Sequence, residues 1–236
     1  MTEEEVKKRA LSIFNAALSS VNPDKAVKAH GEYLISFYRS KHIKKVFVIG
    51  FGKASLEMAK AINEASGAII DKGIIITKYG HARGIKSIDN IEVYEAGHPI
   101  PDEFGVSATE KIIELLRKAD QSTLVICLIS GGGSALLVLP IEPIKLEEKQ
   151  TVTRLLLEAG ADINEINAVR KHISSVKGGR LAKIAYPAHI KSLILSDVIG
   201  DRLDVIASGP TTFDTTTYMD AVKVIKKYKL LEKIPE

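Results

Sequence analysis

The 236-residue sequence contains one cysteine, Cys127, which excludes an intrachain disulfide, cannot by itself seed a thiolate metal cluster and fits a reducing compartment. Cys127 sits inside an apolar stretch, so burial is expected of it and not reactivity. No apolar run approaches the roughly 18 residues that a membrane-spanning helix needs, and the segment from Met1 is charged from its third residue, so neither a leader nor a membrane span is expected and a cytoplasmic location is. Aromatic residues are scarce (6%), and the net charge of +4 is dispersed with no long block of one sign. A nucleic-acid groove or a basic membrane face is therefore not indicated. The small cationic surplus reads as solubility or as a match to an anionic substrate. What remains is a chain with 45% hydrophobic and 26% charged residues, long enough to bury a sizeable core as one large or two small domains.

The chain is organised around Leu124-Val-Ile-Cys-Leu-Ile-Ser130-Gly131-Gly132-Gly133-Ser134-Ala-Leu-Leu137. A β-branched apolar run, three glycines between two serines and a return to helix formers read as strand, turn and helix. Consecutive glycines allow positive φ and let a ligand touch the main chain. Their N–H groups, with the N-terminus of a helix beginning near Ser134, form a cradle for a phosphate or carboxylate. Ser130, Gly131, Gly132, Gly133 and Ser134 are accordingly candidate ligand-binding residues.

Taken in order, Thr2-Glu-Glu-Glu5 predicts a capping box before an amphipathic helix to about Ser20, with Leu11, Phe14, Ala17 and Leu18 on one face. A second helix is expected over 24–39. Strands are expected at 44–50, 73–77, 91–95, 123–129 and 190–195, and further helices from Ser55 to about Glu64 and over 103–118, 145–159, 178–185 and 218–228. Strands separated by helical patterns predict an α/β fold: a doubly wound, mostly parallel sheet with helices on both faces, in a single large domain.

In such sheets ligands sit beyond the carboxyl ends of the strands, where the unusual residues of this sequence also lie. Gly50-Phe-Gly52-Lys53 ends the first strand. It matches no Walker A motif, since Ala54 follows the lysine, and no dinucleotide fingerprint, since Ser55 takes the third glycine position and Thr77-Lys78 ends the next strand where a ribose-binding carboxylate belongs. Lys53 would nonetheless oppose the dipole of the helix that follows it, which points to an anionic ligand. Asp197 and Asp201 flank a glycine turn after the last long strand and could hold Mg²⁺, or Asp197 could serve as a general base. Arg170, Lys171, Lys177 and Arg180, with Gly178-Gly179, form a cationic stretch able to meet phosphate. In Gly97-His98-Pro99-Ile-Pro101-Asp102, His98 is either a ligand for substrate hydroxyls or a structural loop residue.

Together with Asn167-Ala-Val-Arg-Lys-His172, Lys177-Gly-Gly-Arg180, Leu195-Ser-Asp-Val-Ile-Gly-Asp201 and Ala207-Ser-Gly-Pro-Thr211, these motifs occur in an order that resembles the N-terminal domain of type-2 glycerate kinases, whose second domain is called MOFRL. The resemblance spans essentially the whole chain. It implies ATP- and Mg²⁺-dependent phosphorylation of D-glycerate to 2-phosphoglycerate in a cleft between two domains, with Lys53 at the substrate or the transferring phosphate. In that reading Lys53, Asp197 and Arg170 are catalytic. Residues 130–134, Lys171, Lys177, Gly178 and Gly179 bind ATP, and Asp197 and Asp201 hold the metal. Residues 1–236 would form the larger domain with the MOFRL domain absent, leaving a weakly active chain with an exposed apolar face prone to self-association as a homo-oligomer. NAD(P)-dependent reduction of hydroxypyruvate and nucleotide binding without catalysis are the alternatives.

Overall fold

Buried backbone must be paired, and apolar strands alternating with helices achieve this most directly as a parallel sheet covered on both sides. In the computed structural model, which describes residues 1–66 and 69–235, the strands are β1 (Lys45–Phe51), β2 (Lys72–Lys78), β3 (Ser87–Ile88), β4 (Ile91–Ala96), β5 (Thr123–Ser130) and β6 (His189–Leu195). They lie in the order β3-β4-β2-β1-β5-β6, all parallel except β3, a two-residue antiparallel edge on β4 that the sequence pattern did not announce. The helices are α1 (Glu3–Ser20), α2 (Pro23–Lys28), α3 (Gly31–Ser40), α4 (Ser55–Ser66), α5 (Glu103–Leu116), α6 (Gly133–Leu136), α7 (Leu146–Glu158), α8 (Ile163–His172), α9 (Arg180–Ala185) and α10 (Tyr218–Lys227). The expected α/β sheet is present.

Side chains alternate across the central strands with period two and so feed two cores. Phe47, Ile49, Phe51, Val125, Cys127 and Ile129 pack on one face with Ile112 and Leu116 of α5 and Leu181 of α9. Val46, Val48, Leu124, Ile126 and Leu128 pack on the other with Met58, Ala59 and Ile62 of α4. A third cluster, with Leu156, Ile166, Val169, Val224 and Ile225, joins α7, α8 and α10. Cys127 is fully buried, and burial alone pushes its thiol pKa up. Phe51, fully buried at the end of β1, supports both the core and the turn that follows. Phe51→Ala is expected to cost about 3–5 kcal/mol, read as a lower urea midpoint at an unchanged m-value. A midpoint shifted by less than a third of that would mean the strand end is not held by this packing.

Three expectations need correction. The helix expected over 24–39 is two helices, because Gly31 abuts α4 so closely that a Cβ there would lie 2.9 Å from Ala65 Cβ, and the chain must turn at Ala29–His30 to seat both pieces. The helix expected after the glycine loop is the single turn α6, since Leu137 is already extended and Leu136, Leu137 and Val138 are drawn into the core. So short a helix carries little macrodipole, and the anion-binding capacity of the loop must come from its own N–H groups. Finally, α8 occupies residues for which no helix was expected, capped by Asp162, whose carboxylate accepts from the N–H groups of Asn164 and Glu165. At the N-terminus the Thr2–Glu5 capping box forms as expected, yet α1 buries no residue, and Leu11, Phe14 and Leu18 are exposed. Among the described residues no helix is long and apolar enough to cross a membrane.

Candidate active site

The turn after β1 is stitched to the glycine loop after β5. Lys53 N–H donates to Gly131 O at 2.9 Å and Ala54 N–H to Ser130 Oγ at 3.0 Å, so the two strand ends hold one another. Gly132 has φ +84°, and a Cβ there would lie 2.8 Å from His98 Nε2 and 3.3 Å from Lys53 Cε. A Cβ on Gly131 would collide with the Asp197 carboxylate. Lys53, His98, Gly131-Gly132 and Asp197 therefore converge from the carboxyl ends of β1, β4, β5 and β6, the ligand-binding edge of an open parallel sheet. The N–H groups of Gly132, Gly133 and Ser134 donate to no group among the described residues. Three consecutive free donors beside an exposed lysine have the chemistry to hold an oxyanion.

The electrostatics agree. Lys53 is exposed and makes no ion pair among the described residues. The His98 ring is half-buried, and burial, with the charges of Lys53 and Lys78 and the neighbouring His81, lowers its pKa below the ordinary 6.5. A group whose folded pKa is depressed keeps its neutral form at no cost above 6.5, and stability is lost as pH falls from 6.5 through the folded value. NMR titration is expected to place the His98 midpoint below 6.5, and a phosphate ion on the loop should move it upward, since an anion favours imidazolium. A free-chain midpoint at or above 6.5 would contradict the cationic environment described.

Asp197 is exposed, and its carboxylate lies against Gly131. No cluster of three or more His, Cys, Asp or Glu side chains suited to a metal occurs among the described residues. A single hard carboxylate can contribute at most part of a Mg²⁺ shell, the remainder coming from water and phosphate. Asp201 makes no such contact with the loop; it is exposed at the end of the Val198–Asp201 turn with φ +49°.

The cationic stretch reaches the glycine loop through Lys177, but most of its groups are turned to the scaffold. Lys171, 2% exposed, donates to Asp214 Oδ1 at 3.2 Å and lies 3.8 Å from Asp204. Lys177, 1% exposed, donates to Ser134 O at 2.8 Å and Leu137 O at 3.2 Å. The N–H groups of Gly178 and Gly179 donate to Ser208 O and Gly209 O at 3.1 and 2.7 Å. Lys177 holds the glycine loop, Gly178 and Gly179 hold segment 208–209, and Lys171 holds Asp214 beside Asp204, so all four are engaged with the scaffold. Arg170 is half-buried and makes neither a side-chain hydrogen bond nor an ion pair among the described residues, and burial lowers its pKa. Of the cations assigned to ATP or catalysis in this stretch, it alone is uncommitted. Sequence reasoning quoted Asn167 and Ser208 within motifs without assigning their side chains a role; Ser208 Oγ contacts Ser134 Oγ of the loop and donates to Asn167 Oδ1, and the Asp162–Glu165 capping box would have signalled the helix that carries Asn167.

Comparison with known proteins agrees with this geometry. Residues 9–236 match the model of a family described as a domain of unknown function, DUF4147. The chain is 48% identical over 225 residues to a D-glycerate 2-kinase of Thermotoga maritima, covering 95% of this chain and 52% of that protein. It is 44% identical to a glycerate 2-kinase of Pyrococcus horikoshii (100% and 53% covered) and 43% identical to a putative hydroxypyruvate reductase of Agrobacterium vitis (97% and 50%). A crystal structure of a glycerate kinase from T. maritima superposes with a TM-score of 0.87, covering 96% of this chain and 53% of that one. The chain thus spans about half the length of the curated relatives it matches. The match over residues 9–236, the identities and the superposed fold place it in the DUF4147 family, the type-2 glycerate kinase family.

Proposed function

We propose that this chain is the N-terminal, glycine-loop part of a glycerate kinase that transfers a phosphoryl group from ATP to the 2-hydroxyl of D-glycerate, giving 2-phosphoglycerate. The observation that carries this reading is the set of three free N–H groups, Gly132 to Ser134, beside Lys53 and Asp197. Phosphoryl transfer makes few demands for covalent catalysis and depends on positioning and on neutralising charge spread over the transferring oxygens. The loop amides orient those oxygens, and Lys53 supplies the neutralising cation from the facing turn. Arg170 offers a second, uncommitted cation. Asp197 is placed either to take the proton of the attacking hydroxyl or to hold Mg²⁺. When bound, Mg²⁺ contributes charge neutralisation across the phosphate oxygens. His98, uncharged at neutral pH, offers a hydrogen bond to a substrate hydroxyl without adding charge.

Residues 1–236 build one wall of this site, and a second domain of the MOFRL kind would close it and exclude water. A relative named as a hydroxypyruvate reductase favours a second reading, reduction with a nicotinamide cofactor. Against that reading, β2 ends in Thr77-Lys78 with no carboxylate to hold a ribose. One pair of assays separates the two. The chain, alone and extended to the length of its relatives, is given D-glycerate with ATP and Mg²⁺, or hydroxypyruvate with NADH and NADPH. Formation of 2-phosphoglycerate in the first is expected, and oxidation of NADH or NADPH in the second without phosphorylation in the first would replace the kinase reading.

A further inference from the structure

Asn167, on the second turn of α8, is 3% exposed, and its Nδ2 is a buried donor with no partner among the described residues. Its Oδ1 accepts from Ser208 Oγ at 2.9 Å, and Ser208 Oγ lies 2.9 Å from Ser134 Oγ on the glycine loop. A buried amide donor left unpaired costs about 1–3 kcal/mol, and folded proteins retain few of them. Ser208 is itself held in an unusual conformation: Ala207 and Ser208 both take left-handed φ, +51° and +61°. The clamps from Gly178 and Gly179 described above keep this segment against α8.

The three side chains carry four polar hydrogens, and their two mutual contacts use two of them. The surplus does not depend on how the Asn167 amide is turned. With Oδ1 toward Ser208, the free hydrogens are on Nδ2. With Nδ2 toward Ser208, the hydroxyls reverse direction, Ser208 donates to Ser134, and Ser134 O–H is free to point out of the half-buried loop. That second arrangement puts a donor next to the three free amides. Carbonyls near the network are already taken. Lys177 occupies the Ser134 carbonyl, and Lys149, 4% exposed, donates to Arg170 O and Ile173 O. Lys149, Arg170, Lys177 and Arg180 have no carboxylate within ion-pair distance among the described residues. The surplus hydrogen of the Asn167–Ser208–Ser134 network is the donor open to an oxyanion.

We infer that Asn167 and Ser208 are positioning residues: they form a relay that turns the Ser134 hydroxyl toward an oxyanion, phosphate or carboxylate, seated on the Gly132–Ser134 amides. The inference rests on the proposed role of that loop and adds the machinery that sets its side-chain donor. It requires no contact between Asn167 and the ligand. Because Asn167 and Ser208 act only through Ser134, their removal and that of Ser134 should not add.

The test is a binding cycle on the 236-residue chain, with inorganic phosphate and D-glycerate titrated separately by calorimetry so that the source of the oxyanion is resolved. Ser134→Ala, Ser208→Ala and Asn167→Ala are each expected to weaken the tighter of the two ligands about fivefold, the scale of one hydrogen bond. The Ser134→Ala/Ser208→Ala pair should bind no more weakly than Ser134→Ala alone. Additive losses, or Ser208→Ala binding as wild type while Ser134→Ala is impaired, would remove the relay but leave the loop as the anion site. Should Asn167→Ala fail to fold, the Ser134 and Ser208 cycle decides alone. If the wild-type chain binds neither ligand, the relay and the loop's role in this chain both fall; phosphorylation measured on the extended protein then judges the kinase reading by itself.

Discussion

Replacing Lys53 by Ala is expected to lower phosphorylation of D-glycerate by on the order of a hundredfold or more, the scale for losing one charge contact made in the transition state. Its folding free energy should be unchanged or slightly improved. The two halves of this expectation come from the same placement. Lys53 lies two residues before the first turn of α4, where a cation opposes the helix dipole, and it has no carboxylate partner among the described residues to offset that. Such a placement costs about 0.3–1 kcal/mol when exposed. Its backbone is nevertheless fixed, N–H to Gly131 O and carbonyl 3.1 Å from His81 Nδ1, so its Cα does not wander from the glycine loop. A structural lysine would show the reverse pattern. The measurement pairs thermal melts of the chain with kcat/KM in the length of protein that turns over, and a destabilised variant with intact kcat/KM would refute the assignment.

Much of this site was legible because its signals are local. Three glycines directly after an apolar run, a lysine two residues after a strand, and an aspartate two residues after another strand each announce themselves within a few positions, and the parallel topology places all of them on one edge. The partners of the cationic stretch were hidden for the opposite reason. Whether Lys177 faces a ligand or the protein depends on the Ser134 and Leu137 carbonyls some forty positions earlier, and Gly178 and Gly179 find their acceptors about thirty positions later. No pattern within the stretch encodes those partners. The same applies to Asn167, whose meaning rests on Ser208 and Ser134, and to the break at Gly31, set by Ala65 of another helix. The shortness of α6 was likewise decided by the core, which buries Leu136 to Val138 and takes the chain extended from Leu137, against helix propensity.

Gly132→Val should abolish ligand binding at the loop, with affinity for ATP and for phosphate falling more than about a hundredfold. Two effects act together. A β-branched residue at φ +84° is strained, of order 1–2 kcal/mol for the left-handed backbone alone, which favours a rearranged loop whose N–H groups no longer converge. The new Cβ would also stand 2.8 Å from His98 Nε2 and 3.3 Å from Lys53 Cε, crowding the side chains that face the loop. Strain and obstruction can be separated within this chain. Gly80 has nearly the same conformation, φ +79°, but nothing lies within 4 Å of the position its Cβ would take. Gly80→Val should therefore lower stability through strain and leave ligand affinity at the wild-type level, whereas Gly132→Val should lose both. Calorimetric titration of the two variants with ATP and with phosphate reads the difference directly. If Gly132→Val retains affinity within a few fold of Gly80→Val, the glycine loop is a turn closing β5 onto the core, and the anion must be held elsewhere on the strand ends.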